Sequence, residues 1–259
     1  AITGHLDRPG GNLFGGAPSN MPKARSVHMK DRYTQEWVDK LIGPEFPRAF
    51  QPFLEGTSAA YPRLFEDVLK DKPTIHTIIA PGTQPTVSTR DPRGVIRALE
   101  KVDFYVVMDT HRTADMAWAD IVLPALTPYE LDHPFEVRGP MIMARNKVVE
   151  PQGQGRSMQQ IMLDLGTAMG YGEDFWNGDI KASMDWQLEP FGMTLEELRS
   201  HRTGIIYKPT GKRQYEKYEA IFSSRSPRLN KAPFLAQGKV ALYNTQFEEA
   251  GFAPMPAWH

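Results

Sequence analysis

Three short apolar runs lie between His76 and Ala125: Thr77-Ile-Ile-Ala80, Phe104-Tyr-Val-Val-Met108 with Asp109 behind it, and Asp120-Ile-Val-Leu-Pro124. The first is followed by the turn Pro81-Gly-Thr-Gln-Pro85. Next comes Arg93 to Lys101, where Val95, Ile96 and Leu99 recur at helical spacing. Arg112 to Ala119 has the pattern of a second helix, with Thr110 or Thr113 as its N-cap. Alternation of short, wholly apolar strands with helices predicts a mostly parallel, Rossmann-like sheet flanked by helices, in the α/β class. Such sheets take ligands beyond the carboxyl ends of their strands. Here those ends are Pro81 to Pro85, Asp109 to Arg112, and Pro124 onward.

Outward from this core the pattern changes. Residues 1–22 are rich in Gly, Pro and Asn and read as an extended loop. Residues 23–62 mix aromatic and polar residues with prolines, and Tyr61 to Lys70 has a helical face of Leu64, Phe65, Val68 and Leu69. Phe135-Glu-Val-Arg138, Gly139-Pro140 and Met141 to Val149 predict an antiparallel ribbon around a Gly-Pro turn. Ser157 to Met169 reads as a helix capped by Ser157, with Ile161, Met162, Leu165 and Met169 as its apolar face. Leu195 to Arg202 reads as another helix and Lys239 to Tyr243 as a late strand. The expected division is an entry segment over 1–70, an α/β core over 71–133, and a smaller α+β portion over 134–259.

The 259 residues suffice for one large domain or two small ones. Basic residues number 30 and acidic residues 31, a balance that gives no reason to propose nucleic acid or a membrane surface as partner. No apolar run approaches the roughly 20 residues of a membrane helix. The absence of cysteine excludes disulfides, Cys-ligated zinc and Cys-ligated iron–sulfur clusters within these residues. The opening Ala-Ile-Thr-Gly and the tail Phe252 to His259 read as the ends of an internal segment of a longer chain.

Four segments, in order, resemble the catalytic subunits of the dimethyl sulfoxide reductase family of molybdopterin enzymes. Ala98 to Asp109 with Thr113-Ala-Asp-Met-Ala-Trp-Ala-Asp-Ile-Val-Leu-Pro-Ala125 is similar to the family's strand ending in Asp, its helix start and its "A-D-I-V-L-P" strand. Thr3 to Asn12 resembles the loop "T-G-N-x-x-x-P-G-G-N". Val148 to Pro151 with Gly155-Arg-Ser157 resembles the segment after the nucleotide domain. Gly238 to Tyr243 with Glu249 to Pro254 resembles the lead-in to a C-terminal cofactor-binding barrel.

The resemblance implies an enzyme in which two pyranopterin guanine dinucleotides, the molybdopterin guanine dinucleotide cofactor, chelate one Mo or W. This segment would supply part of the site for one dinucleotide tail. The metal ligand, and an iron–sulfur cluster where the parent has one, would lie in a preceding part. The parent's partners would be the rest of the same subunit and an electron-transfer subunit. Any export signal would lie outside these residues, and the compartment stays open.

A carboxylate can accept guanine N1–H and N2–H together, and Asp109, ending an apolar strand, suits that role; its other reading is a helix cap. Gly82 permits a tight turn near a diphosphate, with Thr83 and Gln84 as donors. The other reading is an ordinary Gly-Pro turn, and Gln84 stands where the family's "G-x-N-P" loop has Asn. Thr110 and Arg112 face the same crevice, Arg112 as a phosphate partner or as a solvated charge. Asp120 is either a nucleotide contact or an acceptor of local backbone bonds. Asn12, with Gly10 and Gly11, is either close to the cofactor or part of a structural turn. No residue reads as a catalytic acid, base or nucleophile, and the histidines show no metal spacing.

Phe135-Glu-Val-Arg-Gly-Pro140 departs from the "N-x-E-G-R" of formate dehydrogenases and nitrate reductases. It looks more like the sulfur-compound reductase branches. A non-redox relative such as a hydratase is an alternative. So is a free-standing Rossmann-like module, although Gly-x-Gly-x-x-Gly and Walker loops are missing.

Overall fold

The computed structural model describes residues 61–208 continuously, with short stretches at 8–11, 20–27, 34–36 and 253–255 and single positions at 5, 243 and 248. Asn12 and the expected strand Lys239 to Tyr243 lie outside the described residues, apart from Tyr243 itself.

The parallel sheet has the order β1 (Thr77–Pro81), β2 (Phe104–Asp109), β3 (Ile121–Pro124). Its register pairs Pro81 with Met108 and Asp109 with Pro124, so the three carboxyl ends are level. Helix α1 (Tyr61–Val68) precedes β1; α2 (Pro85–Ser88) and α3 (Pro92–Leu99) connect β1 to β2. Asp91 caps α3 by accepting from the Gly94 N–H at 2.9 Å, and Pro92 supplies the preset φ of a first helical residue. The core is Phe65, Val68, Ile78, Ala80, Val95, Ala98, Leu99, Tyr105 and Val107, with Trp118 packed at its margin. At ~1.5–3 kcal/mol for each large apolar side chain buried, this cluster drives formation of the unit.

The helical element in the link from β2 to β3 is shorter than expected. A 3-10 turn at Ala114–Ala117 replaces the helix read over 112–119. Thr113 occupies its N-cap position, but the side chain makes no capping bond. With only four residues between Thr113 and Trp118, the chain must already be turning back toward β3.

The second sheet has the order β4 (Phe135–Arg138), β5 (Met141–Ala144), β6 (Ile205–Ile206), all antiparallel. The Gly139-Pro140 hairpin is where the sequence pattern put it. Helices α4 (Met158–Gly166), α5 (Ile180–Leu188) and α6 (Leu195–Ser200) follow. Of these, α5 and α6 close a second core around Ile142, Met184, Leu188, Phe191, Leu195 and Leu198.

Ser157 caps α4, accepting from the Gln160 N–H at 3.0 Å. The buried face of α4 is not the one expected. Leu163 and Gly166 are buried, while Met162, Leu165 and Met169 are exposed. Gly166 is the reason: a Cβ there would lie 2.4 Å from the Phe175 ring, so the ring seats on the bare backbone and selects that side. The ribbon's charges are paired. Glu136 accepts from Arg145 at 2.6 Å and Arg138 at 2.9 Å, and Lys147 meets Glu150 at 2.7 Å.

Candidate functional site

Two loops meet at the carboxyl edge of the parallel sheet. The first leaves β1 at Gly82, whose φ of +58° is left-handed and favours glycine. The Gly82 N–H donates to Met108 O at 2.8 Å and so extends the ladder one rung past β1. A Cβ on Gly82 would meet only the flexible tip of Met158, 3.3 Å away, at the start of α4. Thr83 and Gln84 follow, half-buried, and neither side chain has a hydrogen-bond partner among the described residues.

The second loop leaves β2 at Asp109. One carboxylate oxygen, Oδ1, accepts from the Thr110 N–H at 2.7 Å and the His111 N–H at 3.3 Å. This local turn fixes the direction of the side chain. The other oxygen, Oδ2, has no partner among the described residues. The Thr110 hydroxyl lies 2.8 Å from His111 Nδ1, and Arg112 is exposed without a described partner. Gly82, Thr83, Gln84, Asp109, Thr110 and Arg112 are therefore brought to one edge of the sheet.

Asp120 is not among them. Its carboxylate accepts from the Tyr105 N–H at 2.7 Å, at the start of β2. Tyr105 is four residues from Asp109 along an extended strand, which puts Asp120 ~13 Å away at the opposite edge. The reading of Asp120 as a nucleotide contact is corrected accordingly: it serves the sheet's first rung.

Sequence reasoning missed the link between the two loops. Asp115, in the 3-10 turn, is completely buried, and its carboxylate accepts from the Thr86 N–H at 3.1 Å and the Thr86 hydroxyl at 2.5 Å. Thr86 is the second residue of α2, directly after the Gly82 loop. The signal was present, since Asp115 interrupts an otherwise apolar Thr113 to Ala119 segment. The helix reading over 112–119 gave it no role of its own.

Beyond β3, Arg156 N donates to Pro124 O and Arg156 O accepts from Leu126 N, both at 3.1 Å. This brings the start of α4 alongside the sheet. Behind it, His133 Nε2 lies 2.8 Å from Ser157 Oγ, and its Nδ1 lies 3.0 Å from Asp132. Burial pushes the Asp132 carboxyl up, but the His133 contact and the charge of Arg199 leave it below the ordinary value. Among the described residues no group of His, Asp and Glu is arranged to hold a metal ion, and no helix is long and apolar enough to cross a membrane.

The parallel sheet with helices beside it and a polar carboxyl edge is a Rossmann-like α/β unit. Residues 57–168 match the model of the molybdopterin oxidoreductase family. The dimethyl sulfoxide/trimethylamine N-oxide reductase of Rhodobacter capsulatus is 35% identical over 109 residues, which is 40% of this chain and 13% of that protein. The thiosulfate reductase molybdopterin-containing subunit of Salmonella typhimurium is 25% identical over 247 residues, covering 89% of this chain and 30% of the relative. The solved structure of acetylene hydratase from Pelobacter acetylenicus superposes with a TM-score of 0.63 at 21% identity, over 94% of this chain and 35% of that one. Over residues 57–168 the chain is similar to the molybdopterin oxidoreductases, dimethyl sulfoxide reductases among them, and it spans 13% to 30% of the length of the two relatives compared by sequence.

Proposed function

We propose that these residues hold part of one guanine dinucleotide tail of a bis-pyranopterin Mo or W cofactor. The observation that carries the reading is Asp109: one oxygen is fixed by its own loop, and the other is free at the sheet's carboxyl edge. Guanine offers N1–H and N2–H side by side, and a carboxylate oxygen has two lone pairs to accept them. The diphosphate would lie over Gly82, where the lack of a Cβ allows close backbone approach, with Thr83, Gln84, Thr110 and Arg112 as donors around it. The residues fit the tail, and nothing described here fits the metal.

When bound, the cofactor supplies the redox chemistry; this chain binds and orients its tail and excludes water from it. The division at 71–133 for the tail-binding core and 134–259 for the remainder belongs to the same proposal. We assign the parent to two-electron reductase or dehydrogenase chemistry of the sulfur-compound branch, with an electron-transfer subunit as partner. A second reading, hydration, is favoured by the acetylene hydratase of Syntrophotalea acetylenica, which is 25% identical over 87% of this chain. Thiosulfate reduction against acetylene hydration by the parent enzyme separates the two.

The test of the tail site is titration with guanosine diphosphate. Wild type should bind about tenfold or more tightly than Asp109→Asn, the worth of one or two charge-assisted hydrogen bonds. Equal affinity removes the assignment.

A further inference from the structure

We propose that Asp115 is a positioning residue: with Thr86 it forms a latch that sets the spacing between the Gly82 loop and the Asp109 loop. The inference rests on the tail-binding reading and adds to it how the two halves of the site are kept in register.

The loop from Asp109 to Thr113 has no anchor of its own at its far end. Thr113 stands at the N-cap of the 3-10 turn, yet its hydroxyl is buried and has no hydrogen-bond partner among the described residues. Two residues later the chain is gripped. The Asp115 side chain is completely buried and reaches across to α2, where Thr86 gives it two donors. Thr86 is four residues after Gly82, and Asp115 is six after Asp109. The latch thus closes a ring: the Gly82 loop, α2, the Asp115 carboxylate, the Asp109 loop, and the rung from Gly82 to Met108.

A buried carboxylate is an inefficient way to hold a core together, because an apolar pair of equal volume often stabilises as well or better. What it supplies is direction. Two donors from one residue, a backbone N–H and a hydroxyl, define distance and angle together, and charge-assisted bonds are short and stiff. A ligand reaching from base to diphosphate must touch both loops at once, so its affinity depends on their spacing. A ligand touching one loop does not depend on it.

The test uses the full 259-residue chain, which has no native cysteine to interfere with labelling. Spin labels at Val87→Cys and His111→Cys, both exposed positions on the two sides of the latch, report the loop spacing without any ligand. The pair should give one narrow distance distribution, broadened in Asp115→Asn and, to a lesser degree, in Thr86→Val. In chains without labels, affinity for guanosine diphosphate should fall roughly tenfold in Asp115→Asn and about threefold in Thr86→Val, while guanosine affinity changes less than about twofold. Thr86→Val keeps the backbone donor and the side-chain volume, so it reads the latch even if the Asp115 variant fails to fold.

Unchanged label distances overturn the latch. Equal losses for guanosine and guanosine diphosphate, or a lowered Tm with unchanged distances, reduce Asp115 to a purely structural role and also overturn it. A wild type that binds neither ligand sinks the tail-binding reading, while the label distances still decide the latch.

Discussion

The two edges of the parallel sheet are built from similar residues and used in opposite ways. At the amino edge three carboxylates are spent on the fold. Asp67 accepts from the Lys70 ammonium at 2.8 Å, the Thr74 N–H at 2.7 Å, the Thr74 hydroxyl at 2.8 Å and the Ile75 N–H at 3.0 Å. Asp120 holds the Tyr105 N–H, and Asp103 lies 2.7 Å from His76 Nδ1. At the carboxyl edge Asp109 keeps one oxygen open, and Thr83, Gln84 and Arg112 have no described partner. A satisfied carboxylate reports on stability, whereas an aimed but unsatisfied one reports on a ligand.

The contrast can be broken by substitution. The largest expected effect is on stability at the amino edge. Asp67→Ala removes a buried carboxylate that accepts from two backbone N–H groups, a hydroxyl and an ammonium, and should cost about 3 kcal/mol in urea unfolding. Its guanosine diphosphate affinity should be unchanged in the folded fraction. A stable Asp67→Ala chain would show that the amino edge is not what secures the unit.

Acid should act through the same residue. Burial pushes the Asp67 carboxyl up, but Lys70, Thr74 and Ile75 outweigh it and hold it well below its ordinary value of 3.8. A depressed folded-state pKa means the contribution is complete above the unfolded value and fades as pH falls below it. The gap between wild type and Asp67→Asn should therefore be constant from pH 7 to about 5 and shrink below about 4. A gap at pH 2 as large as the one at pH 7 contradicts the assignment.

Smaller effects are expected at the carboxyl edge. Gly82→Ala forces an L side chain into φ +58° and should cost about 1 kcal/mol of stability, measured by thermal unfolding. Arg138→Ala, at an exposed ion pair on the ribbon, should shift stability by less than about 0.5 kcal/mol.

The strands were legible because buried parallel strands are continuous apolar runs, and 77–81, 104–109 and 121–124 are bounded by Gly, Pro and Asp. The ribbon was legible from Gly139-Pro140. The α4 face was misread because periodicity counts apolar side chains, whereas here the side was chosen by Gly166, which has none. The segment 112–119 was misread because over a single turn the 3.0-residue period of a 3-10 turn cannot be told from the 3.6-residue period of an α-helix. Of the candidate site, Gly82 and Asp109 stand out locally as a turn residue and a strand terminator. Asp115 and Thr86 do not, since their pairing joins residues 29 positions apart. Asp120 was misplaced although it leads into its strand: in a parallel sheet the start of β3 lies beside the start of β2, at the amino edge.

The short rung between Arg156 and β3 has a consequence for cutting the chain. The backbone leaves the parallel sheet at Ala125, builds the ribbon, and comes back to bond Pro124 and Leu126 through Arg156 before it departs again toward β6. The parallel sheet, contiguous over 77–124, is thus joined at its end by a residue from beyond the ribbon, and the ribbon sheet is completed by β6 from beyond the helices. A protease nick near residue 139 should leave both halves associated, whereas truncation at residue 133 should expose the Leu126 amide to rapid hydrogen exchange. The polypeptide is laced between its two sheets rather than strung from one to the next.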